Sequence, residues 1–276
     1  MAGILYLVAT PIGNLQDITL RALKTLETVD LIAAEDTRNS RKLLTHFNIN
    51  QPLISFHEHS TPQKRADLVQ RLLDGESIAL ISDAGMPLLS DPGAELVADV
   101  LAVGLEPVVI PGASAALSAL VVSGLSASRF AFEGFLPRKI KERRKFLEKI
   151  KEDERTLIFY ESPHRLLSTL ADLLAVLGDR PIAVCRELTK KFEEVKRAPI
   201  SECIDYFLQK GVKGEFCLVV AGYLPQNDKV AAIDDEQIAE LMSMMMQKGM
   251  RRKEAARELA DKLGIPVKKA YDISID

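Results

Sequence analysis

The chain has 276 residues, 47% of them hydrophobic, and a formal net charge of −3. That is enough apolar content for two domains, or one large domain with an appendage. No apolar run reaches the roughly 18 residues that span a bilayer, and Met1-Ala2-Gly3-Ile4-Leu5 enters a strand without a basic leader, so a cytoplasmic protein is expected. Cys185, Cys203 and Cys217 lie far apart in apolar segments, which argues against a disulfide framework or a thiolate metal site.

In chain order, short β-rich runs alternate with helical ones. Strands are expected at 4–8, 30–34, 52–56, 77–82 and 107–110, with helices near 17–28, 38–47, 62–73 and 92–103 between them. This is the pattern of a parallel α/β sheet. Asn48, Gly75 and Gly104 stand where helices stop. A helix at 113–123, small and apolar throughout, follows Pro111-Gly112 and is expected to lie buried between two halves. A second set follows, with strands near 130–134, 156–161, 181–187 and 215–221 and helices near 139–151, 164–177 and 200–210. Pro225-Gln226-Asn227-Asp228 reads as a linker, giving domains at 1–112, 113–226 and 227–276. The tail from Asp234 onward is helical. Its run 253–265 is amphipathic, and Ala260 with Gly264-Ile265 has the spacing of a helix-turn-helix corner, a weak signal that packing hairpins share.

Charge is unevenly spread. Residues 1–137 carry 9 basic and 15 acidic side chains, 138–227 carry 18 and 14, and 228–276 carry 9 and 10. Two basic runs stand out: eight basic against two acidic residues over 138–151, and eight against three over 248–269. Such runs are most often solvated helix faces, but two of them beside a ligand loop favour a polyanionic partner. Arg143, Arg144 and Lys145 in the first run and Arg251, Arg252 and Lys253 in the second are the candidate contacts to such a partner.

The densest signal is residues 81–93, where an apolar strand runs into two Asp, two Pro and two Gly before a helix. A Gly- and Pro-shaped loop at the carboxyl end of a buried strand is where open α/β sheets hold ligands. Asp83 would carry the polar contact, with Asp91 as N-cap and Pro92 at the first helical position. Ala9-Thr10-Pro11-Ile12-Gly13-Asn14-Leu15 and Pro111-Gly112-Ala113-Ser114-Ala115-Ala116 make similar loops on the same sheet edge, so the three predict one pocket. No Gly-x-Gly-x-x-Gly follows a strand and no P-loop occurs. His57-Glu58-His59 lacks a third ligand for zinc, and Ser162-Pro163-His164 lacks a matched acid for a covalent hydrolase.

The blocks at 8–15, 34–38, 82–93, 111–112, 133–137 (Glu-Gly-Phe-Leu-Pro), 159–165 (Phe-Tyr-Glu-Ser-Pro-His-Arg) and 186–190 (Arg-Glu-Leu-Thr-Lys) together resemble the ribosomal RNA small subunit methyltransferase I family, of the tetrapyrrole-methylase superfamily. The resemblance covers residues 4–222 in order and is weaker beyond 228. It implies two consecutive α/β domains with S-adenosylmethionine in the cleft between them, a small C-terminal helical domain, a homodimer, and 2′-O-methylation of a cytidine in the decoding region of 16S rRNA in the small ribosomal subunit. Carried over by position, the cofactor contacts are Pro11, Asp83, Ala84, Gly85, Met86, Ser114, Ala115, Tyr160 and Leu188, and no metal is required. Met86 and Ala113-Ser114 depart from the family's Thr and Pro-Cys, so backbone contacts carry over there better than side-chain ones. A base for the ribose hydroxyl would come from Glu35, Asp36, Glu161 or Glu187, each equally able to serve as a cap or as a salt bridge to Arg38, Arg165 or Arg186. The rivals are a superfamily methyltransferase acting on a tetrapyrrole or other small molecule, and a non-catalytic RNA-binding assembly protein.

Overall fold

The computed structural model describes residues 2–225, 235–247, 249–263 and 267–273, which fall into two compact units, Met1–Tyr223 and Leu224–Asp276. The larger unit holds two five-stranded sheets.

The first sheet is built from β1 (Leu5–Val8), β2 (Leu31–Ala34), β3 (Leu53–Ser55), β4 (Ile78–Ile81) and β5 (Val108–Ile110), all parallel, in the order β3-β2-β4-β1-β5. Strand residues alternate between its faces, and both faces are covered, so β2 and β4 are apolar and buried at every position. α3 (Pro62–Leu73) and α4 (Ala94–Ala102) set Leu68, Leu72, Leu96 and Val100 against Leu5, Leu31 and Leu80. On the other face, α1 (Leu20–Thr28) and α2 (Thr37–His46) set Ala22, Leu26 and Leu44 against Val8, Ile32 and Ile81. Thr19, Asp36 and Thr61 cap α1 to α3 with side chains that accept backbone N–H bonds.

α4 departs from the expected capping. Its N-cap is Gly93, at φ 130° and without a side-chain cap bond, and the helix starts at Ala94. A Cβ on Gly93 would lie 2.7 Å from Leu80 Cδ2, so this turn requires glycine. The Asp91 carboxyl is instead half-buried in the lining of a cavity, within reach of the Ser82 side chain.

The chain enters the second sheet through α5 (Ala115–Ser123). It continues through β6 (Phe130–Phe135), α6 (Ile140–Lys149), β7 (Thr156–Glu161), α7 (Leu166–Leu177), β8 (Pro181–Arg186), β9 (Glu194–Pro199), α8 (Ile200–Lys210) and β10 (Phe216–Val220). The order is β6-β7-β10-β8-β9; β6 and β7 are parallel and every other pair is antiparallel. β9 was not expected, because half of Glu-Val-Lys-Arg-Ala-Pro is charged; it is an edge strand, where charges and proline are tolerated. α6, α7 and α8 cover one face of this sheet, and α5 covers part of the other with Ala116, Ala119 and Leu120. α5 is therefore buried on one side only, with Leu117 and Val121 51% and 75% exposed.

The smaller unit contains α9 (Asp235–Gln247), α10 (Arg252–Leu263) and α11 (Val267–Asp272) around Ile238, Met242, Ala255, Ala256, Leu259 and Ala270. Residues 226–228 of the expected linker and the expected corner at Gly264-Ile265 lie outside the described residues. Among those described, no helix is long and apolar enough to cross a membrane.

Candidate functional site

Parallel strands aim their carboxyl ends the same way, so the loops after β1, β4 and β5 share one sheet edge. Thr10 and Gly85 exchange both backbone bonds, at 2.9 and 3.0 Å. The Thr10 hydroxyl donates to the Ser82 carbonyl at 3.2 Å, and the Ser82 hydroxyl donates to the Gly85 carbonyl at 3.2 Å. Ser114 then caps α5 by accepting from the Leu117 N–H. The loop after β1 is also fastened to the second sheet. The Asn14 N–H donates to Thr189 Oγ1 at 3.1 Å, and a Cβ on Gly13 would lie 2.9 Å from the Leu188 carbonyl oxygen.

Backbone strain concentrates in the loops after β4 and β8. Among the described residues, Leu88, Ser90, Glu187 and Thr189 adopt positive φ (72°, 69°, 52° and 65°), and Asn48 at a helix end is the other non-glycine that does. Each such residue costs about 1–3 kcal/mol, and such costs persist where surrounding structure imposes them, often at ligand sites.

The loops from the first sheet and the face of the second enclose a cavity of about 350 Å³. Ile12, Leu188, Cys185 and Cys217 give it apolar walls, residues 83–86, Ser114 and Ala115 supply main chain, and Asp91 and Tyr160 supply polar groups. Tyr160 Oη accepts from the Ala116 N–H at 3.2 Å, and burial pushes its pKa up to about 12, so the phenol stays protonated. Burial likewise pushes the Asp91 carboxyl up to about 6, against the pull of the Ser82 side chain and with the Asp83 charge adding to the rise. A second cavity of about 300 Å³ adjoins the first. The two share Ile12, Asp83, Ala84 and Glu215.

Of the residues expected to contact a cofactor, Asp83, Ala84, Gly85, Met86, Ser114, Ala115, Tyr160 and Leu188 line the first cavity, while Pro11 lines the second. Asp83 is more constrained than its loop position suggested. One carboxylate oxygen accepts from the Asp36 N–H at 3.1 Å and the other from the Asn39 amide at 3.0 Å, tying the loop after β4 to the start of α2.

The four candidate bases are not brought together. Asp36 caps α2 and pairs with Arg38 at 2.8 Å; those bonds lower its carboxyl to about 2. Glu161 is 3% exposed, accepts from Thr169 Oγ1 at 2.6 Å and the Ser162 N–H at 2.8 Å, and pairs with Arg165 at 3.3 Å. It is a buried structural anchor at the cavity wall rather than a free base. Glu187 accepts from the Glu215 N–H and from Lys190 Nζ; burial opposes its ionisation, but these donors prevail and lower its pKa. Glu35 lines neither cavity, and its pKa is raised by burial, then by the charges of Asp91, Asp83, Asp36 and Glu58.

The basic runs need correction too. Arg143 is 2% exposed and ion-paired with Asp172 at 2.6 Å, so it cannot reach a phosphate. Arg144 is exposed but shares Asp172 at 2.6 Å. Arg252 donates to the carbonyls of Tyr271 and Ile273, joining α10 to the end of α11. Lys145, Arg251 and Lys253 are exposed.

Sequence reading missed Ile12, Cys185, Cys217 and the cavity role of Asp91. Cys217 pairs in register with both Cys185 and Tyr160, which puts the three on one face, but alternation within a fully apolar strand cannot say which face meets a ligand. Among the described residues, no cluster of His, Cys, Asp or Glu is placed to hold a metal ion.

The family model for tetrapyrrole (corrin/porphyrin) methylases matches residues 4–204. The chain is also 48% identical over 275 residues to the ribosomal RNA small subunit methyltransferase I of Synechocystis sp., covering 99% of this chain and 98% of that protein. This chain belongs to the ribosomal RNA small subunit methyltransferase I family. Its counterpart in Bacillus subtilis is 48% identical, over 98% of this chain and 93% of its own length. Among solved structures, a diphthine synthase (TM-score 0.62, 15% identity, 79% of this chain and 90% of that one) and the uroporphyrin-III-C-methyltransferase of Thermus thermophilus (0.54, 22%, 80% and 93%) share the fold.

The methyl donor of this family is S-adenosylmethionine. The first cavity fits it chemically. Apolar walls suit an adenine ring, Asp83 and Asp91 suit a sulfonium and an ammonium, and at Gly85 a Cβ would press within 3.3–3.4 Å of Ile12 and Ala113.

Proposed function

We propose that the chain binds S-adenosylmethionine in the first cavity and methylates a ribose 2′-hydroxyl of 16S rRNA, at a cytidine of the decoding region, as a cytoplasmic homodimer acting on the small ribosomal subunit. The observation that carries this reading is the pair of adjoining cavities, one mostly apolar, the other with Lys42 and Asn39 in its lining, joined through Asp83 and Ala84. Near-full-length identity to proteins named for small-subunit rRNA methylation supports the substrate, whereas likeness to small-molecule methyltransferases extends to the fold alone. The dimer is supported by the apolar side chains of Leu117 and Val121, one helical turn apart on the open side of α5, and by Val109, 51% exposed on the edge strand β5.

When bound, S-adenosylmethionine supplies an electrophilic methyl group on a sulfonium. The chain's work is positioning, for which well-oriented reactants reach effective molarities of roughly 10⁵–10⁸ M. Tyr160 fixes the start of α5 at the cavity, and the Asn14–Thr189 bond holds the two lobes together across it. Asp83 is a carboxylate at the junction of the cavities, and its oxygens keep lone pairs beyond those taken by Asp36 and Asn39. It is the group placed to accept the hydroxyl proton, a role worth about 10²–10⁴-fold.

The test supplies methyl-labelled S-adenosylmethionine with 30S subunits, naked 16S rRNA or a tetrapyrrole precursor. A 2′-O-methyl group blocks alkaline cleavage of the following phosphodiester, so label on rRNA should appear in an alkali-resistant dinucleotide containing cytidine. Label on a base, or on the tetrapyrrole alone, would refute the reading.

A further inference from the structure

The lining of the second cavity divides into a polar and an apolar part. α2 presents Asn39, Lys42 and Leu43 to it, at the i, i+3 and i+4 positions that share one helix face. Pro11 and Leu15 from the loop after β1 add apolar lining. The cations differ in availability. Lys190 is neutralised by Glu187 at 3.0 Å and Glu215 at 2.8 Å, whereas exposed Lys42 has no ion partner among the described residues. An unpaired ammonium at the rim of a half-apolar cavity, next to a methyl-donor site, matches a nucleotide: a base and sugar against Pro11, Leu15 and Leu43, and a phosphate at Lys42.

We infer that this second cavity is the acceptor-nucleotide site and that Lys42 binds the phosphate of the nucleotide to be methylated. The inference deepens the reading under Proposed function and rests on it. It also puts a phosphate contact in the first lobe, which carries more acidic than basic residues and holds neither basic run, so Lys42 orients the acceptor while the basic runs add undirected attraction.

The experiment uses the full chain with Lys42→Glu, Lys42→Arg and Leu15→Trp, the last filling the apolar part from a position 38% exposed. Three readouts are taken: S-adenosylmethionine affinity by calorimetry, binding to 30S subunits against salt, and KM and kcat for rRNA methylation. Lys42→Glu should weaken subunit binding about tenfold and lower its salt slope by about 0.7–0.9, the share of one phosphate. It should raise KM without altering affinity for S-adenosylmethionine, and Lys42→Arg should restore binding. Leu15→Trp should block methylation while S-adenosylmethionine still binds. Wild-type binding, salt slope and KM in Lys42→Glu would overturn the inference while alkali-resistant label from the wild-type protein keeps the functional reading. Absence of that label from the wild-type protein would overturn both.

Discussion

The two sheets of the larger unit contribute to the same cavity by different means. The first, all parallel, reaches it with the main chain of three loops leaving one edge, and its carboxylates Asp83 and Asp91 sit on one of those loops. The second, mostly antiparallel, reaches it with side chains from a strand face, Tyr160, Cys185 and Cys217, and with Leu188 just beyond β8. A loop-built wall can carry charge and strain because its backbone bonds fasten it to neighbouring loops. A sheet-built wall gains rigidity from the core behind it and offers mainly shape, since Glu161 and Glu215 in its lining are already paired with Arg165 and Lys190. Substitutions in the first lobe should therefore act on ligand binding, and substitutions behind the second on folding.

The largest expected effect is in the second lobe. Asp172 and Arg143 are an ion pair with side chains 4% and 2% exposed, and removing one member of such a pair leaves a buried, uncompensated charge. Asp172→Ala should lower unfolding stability by about 3–5 kcal/mol in urea titrations. A loss under 1 kcal/mol would show that Arg143 finds another partner.

Next in size, Asp83→Ala should leave the urea midpoint close to wild type, because the side chain is on an exposed loop. It should weaken S-adenosylmethionine binding by roughly 1.5–3 kcal/mol, the worth of a hydrogen bond to a charged group. If calorimetry finds the reverse, stability lost and affinity kept, Asp83 serves as a strap for α2 and the contrast between lobes fails.

A smaller effect is expected from pH. Asp91, with its pKa near 6, is largely protonated at pH 5 and ionised at pH 7, so affinity for a cationic sulfonium should tighten as pH rises through 6. Asp91→Asn should flatten that rise. In the ligand-free protein the sign is opposite. The folded state keeps a proton that the unfolded chain releases near 3.8, so Asp91 removes stability as pH climbs from about 4 to about 6. Melting temperatures across that range, wild type against Asp91→Asn, read this directly.

The smallest effects belong to the exposed basic residues. Lys145→Ala and Arg251→Ala should each reduce the salt dependence of subunit binding by no more than about 0.7–0.9 in slope. Arg143→Ala should act through stability instead. Equal salt behaviour in all three would mean that burial does not separate them.

How far the sequence reveals this arrangement follows from the same contrast. Buried parallel strands are continuous apolar runs, and the loops after them announce themselves with Gly, Pro and Asp, so the first sheet and its three loops are legible from residues alone. β9 is not, because an edge strand needs no apolar face and Glu194 to Arg197 carry three charges. Asp91 misleads because Asp-Pro-Gly is a common way to open a helix; only the geometry at Gly93 shows that the cap has moved on and released the carboxyl toward Ser82. Arg143 misleads because a dense basic run averages over a helix whose inward face still needs filling, and Asp172, 29 residues away, is invisible to local pattern. Lys42 lies outside both basic runs, and only the adjoining cavity gives it a role.

The most direct test is a crystal structure of the full chain with S-adenosylhomocysteine. It should show the ligand in the first cavity, against residues 83–86, Ser114, Ala115, Tyr160 and Leu188, with the second cavity left open beside it. Ligand density in the second cavity, or anywhere other than the first, would contradict the account.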